Sequence, residues 1–209
     1  MKILKCEQRS QEWYQARKGK IGGTRLGQVI SNRKNKLIYE LINEQLSDNA
    51  FPDDYISDDM QFGIDNEEIA RDLYSELSGI SFEQIGMILS DYSGIHIASP
   101  DGINMNCGIV LEIKCTINGH IHIQRFFEGV ESTHLPQIIN YFAVSDEINE
   151  VHWVSYCPER TERPLITFVY ERSQFSEQIQ NARALISEME NNVKSMIGKF
   201  IPPVETVSF

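Results

Sequence analysis

Apolar residues recur in the first half of the chain at steps of three and four positions, which is the spacing along one face of an α-helix. Two segments show this period, residues 36–47 and residues 63–77. Polar and charged residues occupy most of the remaining positions, so each segment is predicted to be an amphipathic helix with one face in the core. The residues predicted to face inward from the second helix are Ile69, Leu73 and Leu77.

Short polar residues and glycines predict where helices begin and end. Ser10 predicts the start of a first helix, and Thr24 is predicted to be the N-cap of a second. The reason is that a hydroxyl oxygen accepts a hydrogen bond from an unpaired backbone N–H. Gly79 is predicted to end the second amphipathic helix, and the acidic stretch at residues 49–62 is predicted to be a loop.

The second half of the chain changes to short apolar runs separated by turns, which predict strands. Residues 85–90 and 95–99 are predicted to pair around a turn. The run at residues 109–115 begins with residues that are apolar on both faces, as expected of a central strand that is covered on both sides. Further strands are predicted at residues 151–157 and 165–170, and helices at residues 132–145 and from about residue 174 until Pro202.

The composition is that of one ordinary globular domain. Of the 209 residues, 41% are hydrophobic and 23% are charged, and no Pro/Gly/Ser-rich linker divides them. No apolar run approaches the ~20 residues of a membrane span, and the N-terminus has no long apolar run, so we expect a cytoplasmic protein. The expected single α/β domain over residues 1–209 has a basic helical segment (1–36), helices (36–78), a sheet core (about 85–171) and a C-terminal helix (about 174–198).

Charge is distributed unevenly along the chain, although the net charge is −11. Residues 1–36 hold ten of the 19 basic residues and only two acidic ones. Residues 40–91 hold fourteen acidic residues and a single basic one, Arg71. Both stretches can be solvated faces, or the basic stretch can bind a polyanion such as nucleic acid.

Two short motifs point to phosphodiester chemistry. They are Ser-Pro-Asp-Gly at residues 99–102 and Leu-Glu-Ile-Lys at residues 111–114. Side chains alternate along a strand, so Glu112 and Lys114 project from the same face. Asp101 and Glu112 supply the oxygen ligands that Mg²⁺ prefers, and Lys114 can orient a metal-bound water or neutralise charge on a phosphate. A structural salt bridge within the sheet is the alternative explanation.

Five blocks of residues in this order resemble the lambda-type phage exonucleases, also called YqaJ-like recombinases, of the PD-(D/E)xK nuclease superfamily. The resemblance implies a restriction-endonuclease-like core, which is a central mixed β-sheet flanked by helices. Pro-Asp followed by Glu-x-Lys is a weak pattern alone, whereas five ordered blocks are specific. The blocks are residues 13–24, 63–71, 99–102, 111–115 and 137–141.

The resemblance implies a Mg²⁺-dependent exonuclease that degrades one strand of duplex DNA from the 5′ end to mononucleotides and leaves a 3′ single strand for recombination. It also implies two metal ions per site, with Mn²⁺ as a substitute, and a homotrimeric ring around the DNA. The implied partner is a single-strand annealing protein of a phage or prophage in a bacterial cell. An endonuclease on the same fold and a non-catalytic module that binds DNA ends are the alternatives.

The same resemblance implies roles for particular residues. Asp101, Glu112 and the backbone carbonyl of Ile113 would bind metal, with Glu67 as an additional acidic group. Lys114 would position the attacking water. The family's phosphate-binding arginine beyond the Glu-x-Lys strand has no clear counterpart, because its offset falls on a histidine. The other implied residues are Gln137 as support for the site, Arg17, Thr24 and Ser99 around the 5′-phosphate, and His120 or Arg125 as further DNA contacts.

Overall fold

A four-stranded mixed sheet forms the centre of the computed structural model, which describes residues 1–31, 34–48 and 57–201. The helices are α1 (Gln11–Arg17), α2 (Gly23–Ile30), α3 (Lys34–Leu46), α4 (Asp58–Ser78), α5 (Gly119–Glu128), α6 (Leu135–Val144) and α7 (Ser176–Phe200). The strands are β1 (Lys2–Leu4), β2 (Met87–Leu89), β3 (Ile97–Ala98), β4 (Gly102–Asn104), β5 (Ile109–Cys115), β6 (Glu150–Tyr156) and β7 (Leu165–Glu171).

The central sheet has the strand order β4-β5-β6-β7. β4 and β7 are antiparallel to their neighbours, whereas β5 and β6 run parallel. A parallel pair needs a crossover connection, and α5 and α6 provide it. A smaller antiparallel sheet has the order β1-β2-β3. The expected fold class, a mixed sheet flanked by helices, is therefore confirmed.

Helices cover both faces of the central sheet. On one face Leu111 and Ile113 of β5 pack with Ala70 and Tyr74 of α4. On the other face Val110 joins a larger core that includes buried residues of α2, α6 and α7. Since side chains alternate along β5, Glu112 and Lys114 lie on the side of the larger core. The prediction of a central strand covered on both sides is confirmed.

Several predicted helix and strand ends are confirmed. The Ser10 hydroxyl accepts a hydrogen bond from the N–H of Trp13 at 3.2 Å and caps α1. Gly79 ends α4 in the left-handed conformation, with a φ of 70°. β2 and β3 pair as an antiparallel hairpin, as predicted. Three elements were not predicted, namely β1, β4 and α5. β1 and β4 have only three residues each, and the buried residues of α5 are the polar His122 and Arg125 rather than apolar ones.

Thr24 is not the N-cap of α2. Gly22 is the N-cap, and Thr24 is the second residue of the helix. The helix begins earlier because Gly23 packs directly against α6: a Cβ at Gly23 would lie 2.7 Å from Cγ of Gln137. The tertiary contact therefore decides this boundary rather than the hydroxyl of Thr24.

The inward face predicted for α4 is wrong at two of its three residues, whereas the third, Leu73, does pack against the core. Ile69 is 53% exposed and Leu77 is 68% exposed, whereas Ala70, Arg71 and Tyr74 are buried. The helix also begins at Asp58, so the end of the predicted loop at residues 49–62 is helical. The part of that loop at residues 49–56 lies outside the described residues. In the described part of the chain no helix is long and apolar enough to cross a membrane.

Candidate active site

The register of β4 and β5 brings Asp101 to Glu112. Gly102 of β4 pairs with Leu111 of β5, and continuing this antiparallel register by one residue sets Asp101 opposite Glu112. The backbone N–H of Asp101 donates to the carbonyl of Leu111 at 3.1 Å. In addition, the N–H of Ile113 donates to Oδ2 of Asp101 at 2.7 Å, which fixes the carboxylate beside the strand.

Glu112 is held by hydrogen bonds to both carboxylate oxygens. Nζ of Lys114 donates to Oε1 at 2.5 Å, and the hydroxyl of Tyr141 donates to Oε2. Glu112 is only 1% exposed, so these two donors replace water around a buried charge. Tyr141 lies on α6, one turn after Gln137, within the helix that the sequence predicts at residues 132–145.

Electrostatics couple these groups. Burial raises the pKa of Asp101 well above its usual range, and the nearby charges of Glu112 and Glu67 raise it further. Burial by itself would lower the pKa of Lys114, but the charges of Glu112 and Asp101 outweigh it and raise the pKa. Lys114 therefore stays protonated beside a cluster of carboxylates.

Two arginines that were not predicted as site residues, Arg9 and Arg71, also contact this group of residues. Nη2 of Arg9 contacts both oxygens of Glu67, at 2.8 and 2.7 Å. Nη1 of Arg71, one turn after Glu67 on α4, donates to the backbone carbonyl of Asp101 at 2.8 Å. Arg71 is 7% exposed. The sequence signal that could have indicated its role is that it is the single basic residue in the acidic stretch at residues 40–91.

A cavity of about 170 Å³ opens onto Asp101. It brings together most of the residues predicted for the site and for the 5′-phosphate. Arg17 extends along it, because its Nη1 donates to the Ser99 hydroxyl at 3.0 Å and its guanidinium lies 4.1 Å from the ring centroid of Trp13. The residues lining it include Arg9, Arg17, Gly22, Gly23, Thr24, Ser99, Asp101, Gln137 and Tyr141.

Two further cavities share lining residues with this one. A cavity of about 430 Å³ shares Arg17 and Thr24 and adds the cations Lys18, Lys20 and Arg25. A cavity of about 290 Å³ shares Thr24 and Gln137 and is lined by Lys114. The start of α2 thus lies at the centre of a continuous concave surface. Part of the basic stretch is ion-paired with the acidic one, as Arg25 is with Glu44 and Arg9 with Glu67.

His120 and Arg125 do not join this group. His120 is exposed at the start of α5. Arg125 is 8% exposed, with Nε 3.0 Å from Glu131 and Nη1 3.1 Å from the Ser155 hydroxyl. Arg125 is therefore a buried packing residue here and not an open phosphate contact, because α5 turns its side chain toward the sheet.

Among the described residues no three His, Cys, Asp or Glu side chains lie close enough to form a metal cage. The reason is visible in the contacts: Glu67 pairs with Arg9, and Glu112 pairs with Lys114 and Tyr141. The donor set itself, carboxylates and a backbone carbonyl at one end of β5, is of the all-oxygen type that Mg²⁺ and Mn²⁺ bind. The types of residue present therefore suit such an ion, which would bind after Arg9 and Lys114 move away from Glu67 and Glu112.

The sequence and the fold agree on the class of protein. The model of the YqaJ-like viral recombinase domain matches residues 12–147, which include Arg17, Glu67, Asp101, Glu112 and Lys114. This chain belongs to that family. No curated protein matches the chain.

Solved structures with a similar fold include two of an alkaline exonuclease (LHK-Exo) from Laribacter hongkongensis. The first has 24% sequence identity and a TM-score of 0.77, over 91% of this chain and 98% of the other. The second, a complex with dAMP, has 23% identity and a TM-score of 0.76 over the same shares. A phage-related exonuclease from Haemophilus somnus 129PT has 12% identity and a TM-score of 0.57, over 87% of this chain and 96% of the other.

Proposed function

We propose that this protein is a metal-dependent deoxyribonuclease that degrades one strand of duplex DNA from the 5′ end and leaves a 3′ single strand. The observation that carries the proposal is the position of Asp101, beside Glu112 and Lys114, at a cavity that Arg17 and Ser99 also line. Membership of the YqaJ-like viral recombinase family supports it. So does the fold shared with LHK-Exo, an alkaline exonuclease with a structure in complex with dAMP.

Asp101, Glu112 and the carbonyl of Ile113 are proposed to hold Mg²⁺ or Mn²⁺, and Glu67 is proposed to complete a second ion site. Bound there, the metal supplies charge neutralisation and a water of lowered pKa. Lys114 keeps its proton because of the carboxylates around it, so it can donate to the attacking water or to a phosphate oxygen.

Other residues keep this group in place. Tyr141 holds one oxygen of Glu112 by its hydroxyl, and Arg71 holds the backbone of Asp101. Gln137 lines the two cavities that carry Asp101 and Lys114, and it is proposed to support the site from α6. Rigid support of this kind keeps the reacting groups within the narrow range of geometry that catalysis needs.

A terminal 5′-phosphate is proposed to bind between Arg17, Ser99 and the start of α2. Thr24 and the glycines before it present backbone N–H groups there, and the partial positive charge of a helix N-terminus favours an anion. Arg17 adds a full charge with a planar donor geometry that suits phosphate. His120, which is exposed, is proposed as a more distant DNA contact.

The products and the assembly are proposed by analogy with the family. We propose 5′-mononucleotides as products, a homotrimeric ring around the DNA and a single-strand annealing protein as partner, in the cytoplasm of a bacterial host. The basic residues at the large cavity, Lys18 and Lys20, would then face the DNA, together with Glu40 and Glu44 of the acidic stretch, which line the same cavity.

The test is digestion of a linear duplex labelled at one 5′ or one 3′ end, with Mg²⁺ and with chelator. We expect mononucleotide release from the 5′ label first, no release with chelator and none from Asp101→Asn. The matched control is Asp72→Asn, an exposed carboxylate on α4, which should cleave like the wild type.

Other outcomes refute particular parts of the proposal. Cutting of a covalently closed circular duplex would instead indicate an endonuclease. Binding of duplex ends without cleavage under any metal would indicate a non-catalytic module. Full activity of Asp101→Asn would remove the assigned chemistry.

A further inference from the structure

The acidic cluster consists of Glu67, Asp101 and Glu112, and basic side chains of the same chain neutralise two of these carboxylates. Glu112 is paired with Lys114, which the proposed reaction uses, and Glu67 is paired with Arg9, which it does not use. The side chains of Arg9 and Glu67 are 34% and 18% exposed, so this pair is half-buried and less screened by solvent than a surface pair. Both oxygens of Glu67 are engaged by Nη2 of Arg9.

The backbone holds Arg9 in place by an unusual conformation. Its φ is 66°, and within residues 1–31, 34–48 and 57–201 it is the one non-glycine residue with a positive φ. A non-glycine residue in this region carries strain that its surroundings must offset. The neighbours do so: Gln8 donates at 2.8 Å to the carbonyls of both Ile85 and Pro100, and Ser10 caps α1. Arg9 is thereby directed into the cavity that Asp101 lines.

The charge that Arg9 neutralises acts on the rest of the cluster. Glu67 contributes to the raised pKa of Asp101, after burial and Glu112. Glu67 and Glu112 are not close enough to form one metal cage with Asp101, but their charges still act on it. Without a divalent cation this repulsion must be offset by cations of the chain itself. Arg9 and Lys114 are the cations in hydrogen-bond contact with Glu67 and Glu112.

We propose that Arg9 is a positioning residue that takes the place of a divalent cation at Glu67 whenever no ion is bound there, and that it stabilises the carboxylates at the expense of metal affinity. This inference rests on the proposed function, since it assumes that the cluster binds a divalent cation. The inference also gives a role to the strained turn at residues 8–10. A cation on a fixed backbone there holds Glu67 in position when no metal is bound.

The test uses Arg9→Asn in the full chain, because asparagine tolerates a positive φ better than most residues and carries no charge. Mn²⁺ is the probe, titrated by calorimetry and by the electron paramagnetic resonance of the free ion. We expect Arg9→Asn to bind Mn²⁺ about three- to tenfold more tightly than the wild type, because Glu67 is no longer neutralised. The control is Lys194→Gln, which removes the cation of an ion pair with Glu190 on α7 and should leave the affinity unchanged.

A second readout separates this role from a merely structural one. In chelator, Arg9→Asn should have a melting temperature about 2–4 °C below the wild type, and Mn²⁺ should raise it more than in the wild type. In a Glu67→Gln background, Arg9→Asn should no longer change the Mn²⁺ affinity, because the two residues act as a pair.

The outcomes distinguish this inference from the proposed function. Equal or weaker Mn²⁺ binding by Arg9→Asn overturns the role of Arg9 and leaves the nuclease proposal standing. An effect of Arg9→Asn that persists without Glu67 also overturns it, because Arg9 then acts on another group. Absence of Mn²⁺ binding in both the wild type and the variant overturns this inference and the metal-dependent function together.

Discussion

The hydroxyl of Tyr141 is the contact whose removal tests the site most directly. Tyr141→Phe deletes one oxygen atom and leaves Oε2 of Glu112 without its donor, while Lys114 still holds Oε1. Glu112 is 1% exposed and Tyr141 is also 1% exposed, so water does not readily take the place of the hydroxyl. The hydroxyl also lies 3.3 Å from the Ser99 carbonyl. The substitution therefore removes this longer hydrogen bond together with the one to the buried charge, and it changes very little of the packing.

The expected magnitude follows from the kind of bond lost. A hydrogen bond to a charged group contributes about 1.5–3 kcal/mol, so we expect the free energy of unfolding to fall by about that amount in urea titrations. For a chain of this size, this corresponds to a melting temperature about 4–10 °C lower. Loss of a group that orients a metal ligand typically costs about 10–100-fold in activity or metal affinity, which sets the expected drop in cleavage rate.

The matched control is Tyr156→Phe. Tyr156 is 6% exposed, and its hydroxyl makes no hydrogen bond with any of the described residues. This variant should lose less than about 0.5 kcal/mol and keep its activity. If Tyr141→Phe behaves like Tyr156→Phe in both unfolding and cleavage, Tyr141 does not support Glu112 and the site must be reinterpreted.

Three further predictions follow from other contacts. Burial lowers the pKa of His96 from 6.5 to about 4, so the unfolded chain takes up a proton that the folded one excludes. The free energy of unfolding should therefore fall by about 3 kcal/mol as the pH falls from 6.5 to 4. In urea titrations His96→Gln should lack this pH dependence. A variant with the same pH dependence as the wild type would refute the prediction. Gly23→Ala should destabilise the protein by about 1–3 kcal/mol because the added Cβ meets Gln137. The control Gly63→Ala, with open space around it, should be neutral or stabilising. Equal effects of the two substitutions would refute the close packing of α2 on α6. Finally, wild-type protein should degrade a 5′-phosphorylated end faster than a 5′-hydroxyl end, and Arg17→Gln should remove that difference; equal wild-type rates would contradict the phosphate pocket.

Most of the correct predictions came from local sequence patterns. The alternation of β5 is a property of the strand backbone, so Glu112 and Lys114 had to share a face once the strand formed. Ser10 and Gly79 act through bonds and dihedral angles of their own neighbourhood, so the start of α1 and the end of α4 were predicted correctly. The family blocks extend this local information, because they associate residues that are distant in the sequence.

Predictions failed where packing overrides local preference. The apolar positions of α4 have more than one helical face, and only contact with Leu111 and Ile113 decides that Ala70 and Tyr74 face inward. The boundary of α2 depends on how closely it approaches α6, which a hydroxyl at Thr24 does not reveal. Burial of Arg125 follows from the orientation of α5, a helix that had not been predicted.

By itself, the sequence determined the strand that carries Glu112 and Lys114, the residue types for phosphodiester chemistry and the family. Only the tertiary structure decided that Asp101 extends the β4 register to Glu112, that Tyr141 donates to the same carboxylate and that Arg9 pairs with Glu67. The physical reason is the separation along the sequence over which each interaction acts. Backbone geometry acts over a few residues, whereas the pairing of buried charges depends on which elements the core brings together.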